Sequence, residues 1–298
     1  HLRQQLNIGP RPSGSPANVK TRDYIKAQLT ALGIKPVEQP FEGATPLGPV
    51  KMVNLIGTIP GKSPERIILA SHFDTKLFKN SRFVGASDGA SSTAALLELA
   101  RVLKGRRNLY TMELQFLDGE EAVIEWAGND HTYGSRYYVA SAQRDGSIGS
   151  LKALVLLDMI GDKELDIRRD ANSTPWLTDI VWAAAQRLGH RGVFLNDLTA
   201  IEDDHLPFLT AGVPAIDIID LDYPYWHTPD DTLVHVHPRS LQAVGDVVLE
   251  ALPGLERRRR RPCQQRATAH HGQVLAGDPL RAAASGDDAE SLQTELRS

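Results

Sequence analysis

A single cysteine, Cys263, stands in the 298-residue chain, so no intramolecular disulfide can form. That excludes a disulfide-stapled scaffold and leaves the redox compartment open. No run of about 18 apolar residues occurs, so no transmembrane helix is expected. An excess of either charge is also lacking. The formal net charge of -4 gives no general reason to expect nucleic acid or a membrane surface as a partner. No internal repeat is found. The initiator methionine is missing too: the chain opens on His1, and the expectation is a processed or trimmed protein whose export signal is out of view. The expected setting is secreted or periplasmic, and the expected state is a monomer.

What is present is ordinary soluble composition. The chain is 41% hydrophobic and 23% charged, enough apolar material for a sizeable core. Ser15 and Pro16 open a helical pattern in which Tyr24, Ile25, Leu29 and Leu32 recur. The runs "MVNLIGTIPG", "RIILASHFD", "TMELQFLDG", "LKALVLLDMIG" and "VPAIDIID" read as strands. The segments "SSTAALLELARVL", "PWLTDIVWAAAQRLG" and "PRSLQAVGDVVLEAL" read as helices between them, the first apolar on most faces and therefore buried. Strands alternating with helices predict an α/β three-layer sandwich, with a mostly parallel, mixed central sheet flanked by helices. Ligands in such sheets bind beyond the carboxyl ends of the strands. Residues 1–252 are expected to form one catalytic domain. Residues 253–298, with five consecutive arginines and weak periodicity, read as a solvated tail. A basic arm for an anionic surface is the sharper alternative, and no nucleic-acid partner is expected.

Polar clusters fall at the predicted strand ends. They are "ASHFDT" with His72, "FVGASDGASS" with Asp88, "FLDGEEAVIEW" with Glu120 and Glu121, and "LLDMIG" with Asp158. Two more follow, "IEDDHLPFLTAGVP" and "DYPYWHTPDDT" with His227. Each has a plain reading taken singly: Asp88 as a helix N-cap, Asp158 as a turn cap, His227 as a surface histidine, Trp126 and Trp226 as core aromatics. The adjacent glutamates have a plain reading too, a solvated loop; if buried, two like charges need a neutralising partner. Asp, Glu and His together supply zinc ligands, and three protein ligands with one open position is the usual catalytic arrangement. One glutamate of the pair then holds the metal, and the other serves as a general base.

The motifs "SHFDT", "GASDGASS", "LDGEEA", "LLDMIG" and "WHTPDDT", in this order, resemble the co-catalytic zinc aminopeptidase superfamily. Within it, "DGEEAVIEW", "YGSRYY", "IEDDHLPFL" before "GVP", and "WHTPDD" resemble the glutaminyl-peptide cyclotransferases over residues 1–252. The resemblance implies one zinc per chain on Asp88, Glu121 and His227, with Glu120 as general acid/base. It implies Asp203 and Asp158 as an acidic network beside Glu120, and Trp126, Ile201 and Trp226 as the pocket walls. The implied substrate is a peptide or protein with N-terminal glutamine, cyclised to pyroglutamate with release of ammonia. In two-zinc aminopeptidases the positions of His72 and Asp158 bind a second metal, and both residue types are present here. Animal cyclases carry a histidine in the strand after "GVP"; here Asp217 stands there, so that His72 and Asp217 are candidates for a second metal or an outer layer of contacts. Two alternatives remain: a zinc aminopeptidase using nearly the same residues, and a catalytically inactive binding module of the same fold.

Overall fold

Residues 1–258 are described by a computed structural model. In chain order the elements are α1 (Leu2–Ile8), α2 (Pro16–Ala31), β1 (Pro36–Thr45), β2 (Gly48–Ile59), β3 (Ser63–His72), α3 (Ala90–Gly105) and β4 (Tyr110–Leu117). Then come α4 (Tyr133–Arg144), β5 (Leu151–Asp158), β6 (Ile167–Asp170), α5 (Pro175–Arg187), β7 (Phe194–Thr199), α6 (His205–Thr210), β8 (Ala215–Ile219) and α7 (Pro238–Arg257). The tail expected from residue 253 lies, from residue 259 onward, outside the described residues; up to Arg257 the chain is helical, with Pro253 inside α7. Among the described residues no helix is long and apolar enough to cross a membrane.

Six strands form the central sheet in the order β1-β2-β4-β3-β5-β8. β3, β4, β5 and β8 run parallel, while β2 joins β4 antiparallel and β1 closes a hairpin on β2. β1 lies at the edge and carries Pro36 and Pro40, residues an interior strand does not tolerate because they lack an N–H for the ladder. The inner strands are buried on both faces, as continuous apolar runs require. Ile67 and Leu69 of β3, with Val155 and Leu157 of β5, pack into one cluster with α2, α3, α5 and α7. Ile68, Ala70, Leu154 and Leu156 point the other way, onto Tyr138 of α4 and Phe208 of α6. The strand period of two thus divides one apolar run between two helical layers, and the sandwich has the expected three layers.

Because β3, β4, β5 and β8 are parallel, the turns that follow them share one edge of the sheet. Ser15 caps α2 by accepting from the Asn18 amide at 3.1 Å, and Ser13 and Asn18 donate to Asp118, which holds the segment before α2 against that edge. Asp220, just past β8, is 1% exposed. Its Oδ2 accepts from the Asp166 amide at 3.4 Å, and its Oδ1 finds no partner.

Burial, with the Asp166 and Asp162 charges nearby, pushes the Asp220 carboxyl from 3.8 up to about 8. A carboxyl raised in the folded state contributes fully below its unfolded value and loses that contribution as pH rises through its folded value. Asp220→Asn is therefore expected to stabilise the protein, with no gain near pH 3.8 and a gain that grows up to about pH 8. Thermal melts across that range check it; a gain independent of pH contradicts it.

Candidate active site

Three turns at the shared edge are held open by buried polar groups. Asp118, after β4, accepts from Ser13 Oγ at 2.7 Å, Asn18 Nδ2 at 2.9 Å and the Val53 amide at 2.8 Å. Asp74, after β3, accepts from the Glu120 and Glu121 amides, both at 3.3 Å. Asp231 accepts from the Ser87 amide at 2.8 Å, the Asp88 amide at 3.2 Å and Tyr223 Oη at 2.8 Å. Arg11 has no exposed surface. Its guanidinium donates to the carbonyls of Phe73 at 2.7 Å, Val84 at 2.5 Å and Gly85 at 3.1 Å. The loop that ends in Asp88 is therefore anchored at both ends by one cation.

Backbone conformation is unusual at the same places. Gly89 has φ +77°, and a Cβ there would lie 2.8 Å from the Asp74 carbonyl and 3.0 Å from the His72 ring. Gly89, not Asp88, is the N-cap of α3, so the Asp88 carboxylate is free to point away from the helix. Met159 and His227 both have positive φ, 47° and 55°. Non-glycine residues in this region carry a steric cost that surrounding structure must offset, and such residues gather at functional sites.

The expected residues converge. His72 Nε2 lies 3.0 Å from Asp158 Oδ1 and 3.2 Å from Asp88 Oδ1. Its Nδ1 is 3.5 Å from Asp74 and 3.7 Å from Glu120. His227 Nε2 lies 3.1 Å from Glu121 Oε2 and 3.4 Å from Asp88 Oδ2. Two sets of ligand atoms, sharing Asp88, are close enough to hold a metal ion: Asp88, Glu121 and His227, and His72, Asp88 and Asp158. Asp88 Oδ2 and Glu121 Oε2 are buried without a hydrogen-bond partner. Orphaned carboxylate oxygens facing a histidine nitrogen suit a borderline cation such as zinc.

Burial dominates the electrostatics. It pushes Glu120 well up from the usual carboxylate range, aided by Asp203, Glu121 and Asp158 against the opposing pull of His72. Burial and Asp88 move Glu121 to about 7, and burial and Asp158 move Asp203 to about 8. The two imidazoles are raised as well, for a different reason. Burial disfavours their charge, but the carboxylates outweigh it and raise His227 to about 10 and His72 well above its ordinary value. Asp88 stays low, because both histidines overcome its burial.

A cavity of about 500 Å³ opens over this cluster. Asp88, Glu120, Glu121, Asp158, Asp203 and His227 are exposed to it, and Trp126, Ile201 and Trp226 wall it. Trp226 is 44% exposed and stacks on His227 with centroids 4.4 Å apart; Trp126 stacks on His131 at 4.3 Å. Neither tryptophan is a core residue. Asp217 stands apart from both metal-capable sets and faces Asp203 from behind the cavity. Sequence reasoning missed Arg11 and the anchoring part of Asp231. Their only signals were an arginine among small residues in "RPSGSP" and the second aspartate of "WHTPDDT". It also missed Lys76, Met159 and Leu221, which line the cavity; Met159 sits inside "LLDMIG", where only Asp158 drew notice.

Residues 54–252 match the model of peptidase family M28. A glutaminyl-peptide cyclotransferase-like protein of Mus musculus is 32% identical over 273 residues, covering 80% of this chain and 70% of its own. The chain belongs to the glutaminyl-peptide cyclotransferase family, within peptidase family M28. The glutaminyl-peptide cyclotransferase of Drosophila melanogaster is 30% identical, over 78% of this chain and 73% of its own. Among solved structures, a glutaminyl cyclase from an Acidobacteriales bacterium superposes with TM-score 0.82 at 41% identity, covering 86% of this chain and 92% of the other. A leucine aminopeptidase precursor from Bacteroides thetaiotaomicron has TM-score 0.77 at 29% identity, over 84% and 93%. Family membership and fold thus agree with the three-layer sandwich and with a metal-capable centre at its carboxyl edge.

Proposed function

We propose that the chain is a zinc-dependent glutaminyl cyclase that converts the N-terminal glutamine of peptides or proteins to pyroglutamate. The observation that carries the reading is the pairing of Glu120 and Glu121 under an apolar-walled cavity. One carboxylate faces His227 and Asp88 beside orphaned oxygens, and the other faces the open space and Asp203. Asp88, Glu121 and His227 would hold the zinc, which when bound supplies Lewis acidity toward a carbonyl oxygen. We favour one zinc per chain. His72 and Asp158 already satisfy each other at 3.0 Å, whereas the free oxygens of Asp88 and Glu121 belong to the other set.

In the reaction the substrate's α-amine attacks its own side-chain γ-carbonyl. A carbon–nitrogen bond closes the five-membered ring, and the bond to the side-chain nitrogen breaks. Glu120 takes a proton from the attacking nitrogen and delivers it to the departing ammonia. Its raised proton affinity suits both halves of that transfer. Asp203, raised by burial and by the neighbouring Asp158 charge, shares the proton load in a region where like charges crowd together. Trp126, Ile201 and Trp226 grip the side-chain methylenes, hold the bent conformer and exclude water. Orientation of this kind contributes up to roughly 7–11 kcal/mol in favourable cases. The hydrolytic alternative has one observation on its side, the second metal-capable set around His72. An inactive binding module is disfavoured, because no expected ligand or base is missing.

Elemental analysis of protein purified without added metal is expected to find one zinc per chain, lost in Glu121→Gln. Two tightly held zincs would favour the aminopeptidase. Glu120→Gln is expected to keep its zinc and lose about 10²–10⁴-fold in turnover, the range for a general acid/base. Near-normal turnover in that variant moves the proton transfer elsewhere. Mass spectrometry on a peptide panel decides the chemistry. Gln-leading peptides should lose about 17 Da as ammonia when the activated amide is attacked, while Leu- and Ala-leading peptides stay whole. Free leucine or alanine with uncyclised Gln-leading peptides overturns the cyclase reading.

A further inference from the structure

Behind the cavity floor lies a second layer of acid that the chemistry above does not use. Asp170, Asp204 and Asp217 are each no more than 4% exposed. Asp170, the last residue of β6, gathers three donors and faces a histidine. It accepts from the Ile201 amide at 3.1 Å, the Asn172 amide at 3.1 Å and Ser173 Oγ at 2.7 Å, and lies 3.1 Å from His205 Nε2. Burial raises the Asp170 carboxyl, but these donors outweigh it and hold it below the ordinary range. It is a buried anion whose partners are all drawn from the structure around the cavity.

The partners matter because of where they lead. Ile201 and His205 flank Asp203 by two residues on either side, so fixing both fixes the carboxyl between them. Asn172 Nδ2 donates to the Ile201 carbonyl at 2.8 Å, doubling the hold on that end. His205, with no exposed side chain, also turns Nδ1 toward Asp217 Oδ2 at 3.8 Å. Ser173 ties the same anion to β8, accepting from the Asp217 amide at 3.0 Å. Asp217 and Asp203 are within hydrogen-bonding reach of one another. No other donor reaches either Asp217 oxygen or Asp203 Oδ2. Two carboxyl groups so placed share a proton, and the geometry of that pair depends on the segment Asp170 holds.

We propose that Asp170 is a positioning residue: through the Ile201 amide and through His205, it fixes the segment that aims the Asp203 carboxyl into the cavity. The inference rests on the reading of Asp203 as the partner of Glu120. A purely structural anchor would stabilise the loop and affect activity only as folding fails. A positioning residue acts on the chemical step and acts only while there is a carboxyl to aim.

Asp170→Asn keeps an oxygen for the Ile201 and Asn172 amides and presents an amide in place of the anion to His205; His205→Gln removes the imidazole. Each is made alone and in an Asp203→Asn background, with zinc content and unfolding midpoint measured on the same samples. Alone, each is expected to lower kcat by about tenfold to a hundredfold, the scale of a small misplacement of a reacting group. KM should stay within about threefold, the pattern of an interaction made in the transition state. In the Asp203→Asn background neither should cost further activity, because linked residues are non-additive. A folded single variant with wild-type kcat overturns the proposal, and so do losses that add in the Asp203→Asn background. If Asp170→Asn does not fold, His205→Gln runs the same cycle alone. Should the wild-type chain release N-terminal residues instead of ammonia, only the cyclase reading falls. The same ratios, measured in that hydrolysis, still decide whether Asp170 aims Asp203.

Discussion

Desolvated carboxylate is the constraint around which the rest of the structure is arranged. Asp74, Asp88, Asp118, Glu120, Glu121, Asp158, Asp203, Asp204 and Asp217 are all buried at one end of the sheet. Few cations offset them: Arg11, His72 and His227. Isolated charges of this kind cost several kcal/mol each to remove from water. The structure meets that cost in three ways. Some carboxylates are given backbone amides, as Asp74 and Asp231 are. Some are pushed toward the neutral form, as Asp203 is. Asp88 and Glu121 keep oxygens without a protein donor, and these are the oxygens a metal ion would satisfy.

The parallel core of the sheet makes such a concentration possible. Four strands delivering their carboxyl ends to one edge place the long segments 73–89, 118–132 and 220–237 side by side, and these segments carry Asp88, the Glu120–Glu121 pair and His227. The same geometry crowds the backbone. Gly89 is required because a side chain there would strike the Asp74 carbonyl, and His227 adopts a positive φ among contacts with Asp88, Glu121, Trp226, Phe78 and Phe83. Burial at the acid cluster contrasts with the walls above it, where Trp226 and Ile124 are 44% and 56% exposed. A hard polar floor under partly exposed apolar walls suits a site that holds a charged reaction centre in one place and wraps the aliphatic part of its substrate.

Much of this was legible in the chain. The inner strands showed as apolar runs because both faces are buried, and α3 showed as an almost wholly apolar helix for the same reason. The helix at Ser15 was marked by its cap. The edge hairpin β1, the short strands β6 and β7 and the six-residue helix α6 were not seen. They are partly exposed or too short to display a period, and tertiary packing holds them in place. Candidate site residues stood out where polar clusters followed apolar runs. Arg11 did not, since an arginine near the start of a chain looks like any solvated one until the fold buries it.

By itself the sequence determined the residue types, their order and the layers: which runs could be strands, which carboxylates lay at strand ends, and that metal chemistry was available to them. Those are local properties, set by side-chain chemistry and by periods of two and 3.6 residues. Only the tertiary structure decided which oxygen faces which nitrogen. It gave His72 to Asp158 and His227 to Glu121, put Asp217 behind Asp203 instead of at a metal, and made Asp170 a buried hub. Distances between residues far apart in the chain follow from how the layers pack, and spacing along the chain does not encode them.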